Sequence, residues 1–152
     1  ASALIVGTGG VGSAIAASLA AVGVRTIALF DTRRERAHAL ADRLAALYPQ
    51  LALACDSDDP SGHDIVVNAT PLGMHDNDPL PLDVDRIRPG TWVGDVVLSP
   101  EMTPFLIAAQ VRGCRLQVGA DMLFEQIPAY LEFFGFPATT PEALRSLARI
   151  TY

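Results

Sequence analysis

Ala3-Leu4-Ile5-Val6-Gly7-Thr8-Gly9-Gly10-Val11-Gly12 joins a wholly apolar run to a G-x-G-x-x-G pattern. Consecutive apolar residues without alternation suit a parallel strand buried on both faces. From 11–22 small and apolar residues dominate, with Val11, Ile15, Ala16 and Leu19 at helical spacing and Gly23 placed for a C-terminal cap. The glycines therefore stand between a strand and a helix, the context that makes the pattern informative. Gly7 permits a tight turn, Gly9 lacks the Cβ that would keep a pyrophosphate from the backbone, and Gly12 lets the helix lie close on the strand. The N–H groups of Gly10, Val11 and Gly12, with the helix dipole behind them, can then bind a diphosphate without a cationic side chain.

Further along, 25–30 reads as a second strand and Asp31 closes it, 19 residues beyond Gly12. An acidic residue at this place accepts hydrogen bonds from the adenine ribose hydroxyls, which favours NAD and disfavours NADP. Thr32 and Arg33 adjoin it as further candidates, and Arg33 and Arg34 oppose the carboxylate's preference by charge. Asp31 as a plain cap for the next helix is the competing reading. Ala37, Leu40, Leu44 and Leu47 mark that helix, 51–54 a third strand and 64–68 a fourth. The segment 71–89 carries Pro71, Pro79, Pro81 and Pro89 and reads as a long surface loop with a turn of helix near 83–87. Strands at 91–97 and 115–118, and helices at 103–111, 122–134 and 140–149, complete the pattern. Strict alternation predicts an α/β fold, a doubly wound six-stranded parallel sheet of Rossmann type, within one dinucleotide-binding domain over 1–152.

The 152 residues are half apolar and 18% charged, with mean hydropathy +0.30, so the chain has ample material for a core. A net charge of -6 argues against a nonspecific grip on nucleic acid or an anionic membrane surface. All eleven basic residues are arginines, so no lysine acid, base or Schiff base is available in this stretch. Cys55 and Cys114 lie far apart without a metal-ligand pattern and read as reduced core thiols, with no metal expected. The acidic run 56–59 reads as a solvated loop. Neither a membrane-length apolar run nor a basic leader is seen, and a cytoplasmic address is the expectation. The sequence opens at Ala1 directly into an apolar run, which reads as part of a longer chain.

Three further stretches resemble the cofactor-binding half of the shikimate and quinate dehydrogenase family. They are Asn68-Ala69-Thr70-Pro71-Leu72-Gly73-Met74, Gly94-Asp95-Val96-Val97, and Thr103-Pro104-Phe105-Leu106 leading to Gly119-Ala120-Asp121-Met122-Leu123-Phe124-Glu125-Gln126. The resemblance implies that Asn68, Thr70, Pro71 and Gly119 line the nicotinamide side of a cleft, that Met122 touches the nicotinamide, and that Gln126 reaches a substrate hydroxyl or carboxylate. Met122 also reads as core beside Leu123 and Ile127, and Asn68 as a loop cap at a strand end. Asp31-Thr32-Arg33 stands where NADP-using members carry Asn-Arg-Thr, so the arginine for the 2′-phosphate is Thr32 here. Leu98, Asp121 and Pro128 also depart from the family pattern, which leaves the ring acid open.

The function that follows is an oxidoreductase moving hydride between the hydroxyl or ketone of a cyclic hydroxyacid and NAD, with NADP the lesser cofactor. Catalytic residues are expected in none of these positions: the family's Lys and Asp pair belongs to an N-terminal domain of the same protein. A homodimer stays open. A regulatory dinucleotide-sensing module without chemistry and a methylenetetrahydrofolate dehydrogenase-like enzyme are the alternatives.

Overall fold

The computed structural model describes residues 1–97 and 102–117. Among them run β1 (Ser2–Val6), α1 (Gly10–Ala21), β2 (Thr26–Phe30), α2 (Arg34–Leu47), β3 (Ala52–Cys55), β4 (Ile65–Asn68), β5 (Trp92–Asp95), α3 (Pro104–Val111) and β6 (Arg115–Gln117). All pairings are parallel, in the order β3-β2-β1-β4-β5-β6. The expected doubly wound sheet is thus present. The expected helices at 122–134 and 140–149 lie outside the described residues.

Side chains on successive strand residues point to opposite faces, and β1 shows why the run 3–6 needs no polar alternation. Ala3 and Ile5 enter a core with Val11, Ile15 and Leu19 of α1 and Leu40 and Leu44 of α2. Leu4 and Val6 enter a second core with Phe105, Leu106 and Ala109 of α3. Both faces of the strand are therefore dry, and Leu4 and Ile5 are wholly buried.

The 71–89 segment differs from its reading as a surface loop. Leu82, Val84 and Ile87, around a 3-10 turn at Val84–Arg86, are buried in the second core. The sheet face between β4 and β5 must be covered, and here a proline-rich segment carrying spaced aliphatics does so in place of a helix. Asp83 caps its turn by accepting from the Asp85 N–H at 3.1 Å. Thr103 caps α3, its hydroxyl accepting from the Leu106 N–H at 3.2 Å, with Pro104 in the first turn.

The cysteines also differ from expectation. Both are free and half-buried at the rims of the cores, Cys55 at the end of β3 and Cys114 just ahead of β6. In the acidic run, Asp56 pairs with Arg34 and His38, and Asp59 pairs with Arg86. Among the described residues no helix is long and apolar enough to cross a membrane.

Candidate functional site

Strand order reverses between β1 and β4, and crevices form outside the carboxyl ends of strands at such a switch point. A cleft of about 520 Å³ lies there. One wall is 6–11, the second is Phe30, Asp31, Thr32 and Arg36, and the third is 69–72 with Pro81.

The glycine turn has the geometry that its spacing implies. Gly7 takes φ +98° and donates its N–H to the Phe30 carbonyl at 2.8 Å, and a Cβ on it would lie 2.8 Å from the Ala69 carbonyl group. A Cβ on Gly12 would lie 1.9 Å from the Gly7 carbonyl oxygen, so only glycine lets α1 start against the turn. Gly9 is different: a Cβ there meets nothing within 4 Å. The space above Gly9 is open cleft, a cradle that a side chain would partly fill. Gly9 is also the N-cap of α1 and offers no side-chain oxygen, and no acidic residue stands in the first turn. The leading N–H groups of a helix have no acceptors within it, so this end presents donors and positive potential to the cleft.

Asp31 is held by three donors. Its Oδ2 accepts from the Thr8 N–H at 2.9 Å and the Thr8 hydroxyl at 2.7 Å, and its Oδ1 accepts from the Arg33 N–H at 2.9 Å. Partial burial pushes its pKa up, but the bonds from the Thr8 hydroxyl and the Arg33 and Thr8 amides, with Arg36 nearby, outweigh it and leave the carboxyl below its ordinary value. Asp31 is therefore an anion at neutral pH. It does not cap α2, whose N-cap is Arg33 without a side-chain bond. A carboxylate has about four acceptor positions, so one on Oδ1 is left for a ligand hydroxyl.

The third wall is built from behind. Asn68 is wholly buried at the end of β4. Its amide donates to the Leu72 carbonyl at 3.0 Å and to Asp95 Oδ1 at 3.2 Å, and its carbonyl oxygen accepts from the Thr70 N–H at 3.0 Å and hydroxyl at 2.6 Å. These bonds shape the 68–72 turn that carries Thr70 and Pro71 to the cleft.

Of the residues expected at the site, Gly7, Gly9, Gly10, Val11, Asp31, Thr32, Thr70 and Pro71 come together around one cleft. Gly12 lies buried beneath the turn, Asn68 stands behind the wall rather than on it, and Arg33 is exposed outside the lining. Leu98, Gly119, Met122 and Gln126 lie outside the described residues. Seven lining residues were not among those expected at the site: Val6, Thr8, Phe30, Arg36, Ala69, Leu72 and Pro81. Arg36 had a signal, since it stands in the first turn of α2, close behind Asp31 in the chain. Of the two arginines weighed instead, Arg33 is exposed outside the lining and Arg34 is turned to Asp56 at 2.8 Å.

No family model matches the chain. The shikimate dehydrogenase (NADP(+)) of Maricaulis maris is 35% identical over 145 residues, 95% of this chain and 52% of that protein. Quinate dehydrogenase from Corynebacterium glutamicum, solved in complex with NAD, superposes with a TM-score of 0.74 at 33% identity over 96% of this chain and 54% of that one. The ligand-free 5-ketofructose reductase of Gluconobacter sp. strain CHM43 gives 0.73 at 25% identity over 97% and 55%. The chain thus spans about half the length of the relatives it matches. With the parallel sheet, the glycine cradle and the acidic residue in place, the chain is similar over nearly its whole length to the dinucleotide-binding half of the shikimate and quinate dehydrogenases.

Proposed function

We propose that this chain is the NAD-binding part of a dehydrogenase that moves hydride between a ring hydroxyl of a shikimate- or quinate-like acid and the nicotinamide. The observation that carries the reading is the cleft at the switch point, where the open Gly9 cradle and the ionised Asp31 lie side by side. The diphosphate would be held by the Gly10, Val11 and Gly12 amides, and one adenine ribose hydroxyl by Asp31 Oδ1. Thr70 and Pro71 would face the nicotinamide side, together with Gly119 and Met122, and Gln126 would bind the ring acid. Bound NAD supplies the hydride acceptor; the residues of this chain supply orientation and the exclusion of water. Proton transfer falls to the Lys and Asp pair of the N-terminal domain that the family implies.

Cofactor choice rests on Asp31. A 2′-phosphate would face an anion and take away its ribose bond, while Arg36 and Thr32 stand nearby. One pair of like charges 4 Å apart costs about 4 kcal/mol at an effective dielectric of about 20. Screening and side-chain rotation reduce this to roughly tenfold to hundredfold in favour of NAD. Titration of the full-length protein and its Asp31→Asn/Thr32→Arg double variant with both cofactors tests this. Wild type should prefer NAD, and the double variant should narrow or reverse the preference. Equal wild-type affinities would remove Asp31 from cofactor choice.

A further inference from the structure

Behind the 68–72 wall lies a buried polar chain that the glycine cleft does not explain. Asp95, at the end of β5 and fully buried, is paired in register with Asn68 on β4. Its Oδ1 accepts from Asn68 at 3.2 Å and from the Val97 N–H at 3.0 Å, and its Oδ2 accepts from the Thr103 hydroxyl at 2.7 Å. Thr103 in turn caps α3 by accepting from the Leu106 N–H.

We propose that Asp95 is a positioning residue: it fixes the orientation of the Asn68 amide and ties the 68–72 turn to the start of α3, so that Thr70 and Pro71 meet the nicotinamide in one geometry. This rests on the reading of 68–72 as the nicotinamide side of the cleft. All three groups around Asp95 donate, so the site asks for a side chain that accepts on both of its oxygens. Asn68 is saturated: both amide hydrogens go to the Leu72 carbonyl and Asp95, and both acceptor positions go to Thr70. A flipped Asn68 would set its oxygen against the Leu72 carbonyl and the Asp95 carboxylate. Asp95 thus selects one of two amide orientations, and that orientation shapes the turn. Thr103 carries the same constraint to the third wall's rear, where its methyl lies 3.4 Å from the position a Cβ on Gly73 would take.

Asparagine at 95 keeps one acceptor oxygen for Asn68 and Val97 but turns an amide toward Thr103. Burial pushes the Asp95 pKa up despite its bonds to Val97, Thr103 and Asn68, so removing the charge also removes a desolvation burden and favours a folded variant. The test uses the full-length protein with Asp95→Asn, Thr103→Val and Thr103→Ser. It measures kcat on quinate and shikimate with NAD and NADP, the isotope effect with substrate deuterated at the carbinol carbon, and inhibition by ADP-ribose, which lacks the nicotinamide. Asp95→Asn and Thr103→Val should each lower kcat about tenfold or more and raise the isotope effect, with the ADP-ribose constant changed less than about twofold. Thr103→Ser should restore both. ADP-ribose binding that weakens in step with kcat, or kcat that survives in Thr103→Val, overturns the proposal. Wild type that binds ADP-ribose but transfers no hydride to either cofactor from either acid overturns the underlying reading, and the proposal with it.

Discussion

Gly9 and Gly12, three positions apart in one motif, answer to different demands. At Gly12 a methyl group would lie 1.9 Å from a backbone oxygen, and neither backbone can yield without lifting α1 from the turn. Gly12→Ala should therefore destabilise the fold by about 3 kcal/mol, the upper part of the usual cost of overpacking, visible as a lowered Tm. At Gly9 the same methyl enters open space, so Gly9→Ala should keep its Tm while weakening dinucleotide binding about tenfold or more. If Gly9→Ala binds both cofactors like wild type, the diphosphate does not lie over that residue. Sequence spacing alone assigned the same two purposes, because Cβ sterics follow from the backbone path that G-x-G-x-x-G dictates. It did not show that Asp31 already holds three donors, since two come from Thr8 across the turn and depend on tertiary contact.

Strands and helices were legible wherever burial was regular. The runs 3–6 and 65–67 are apolar throughout because both sheet faces are covered, and β3, at the sheet edge, reads weakly because Ala52 and Ala54 remain exposed. The 71–89 segment was misread for the converse reason: its aliphatics follow neither a helical nor a strand period, although Leu82, Val84 and Ile87 all enter the core. Its contribution can be measured. Ile87, wholly buried, should cost about 2–5 kcal/mol on replacement by alanine, leaving NAD affinity of the folded protein nearly unchanged because Ile87 does not line the cleft. Urea unfolding with and without NAD separates the two. A small loss of stability would show the segment to be a loose cover.

At the scale of the molecule, the switch in strand order places the cleft, and this much follows from alternation of elements without any knowledge of side-chain contacts. The wall formed by 68–72 was legible only as a resemblance, because the bond that anchors its local turn from behind, Asn68 to Asp95, joins residues 27 positions apart. The proposed division of labour predicts that the 152-residue chain by itself binds NAD yet shows no turnover on quinate or shikimate, since it has no lysine to complete the proton transfer. Turnover by the isolated chain, checked by mass spectrometry for purity, would overturn that division. The two half-buried thiols lead elsewhere. Cys55 lies on one edge strand and Cys114 leads into the strand at the far end of the described order, five strand spacings away, or about 24 Å at ~4.8 Å each. A disulfide spans only about 4–7 Å between Cα atoms, so air oxidation can link these cysteines between molecules but never within one. Burial holds both thiols above their ordinary pKa, so such linking is slow at neutral pH. The same pair, tagged with spin labels, makes a native ruler across the sheet that needs no engineered cysteine.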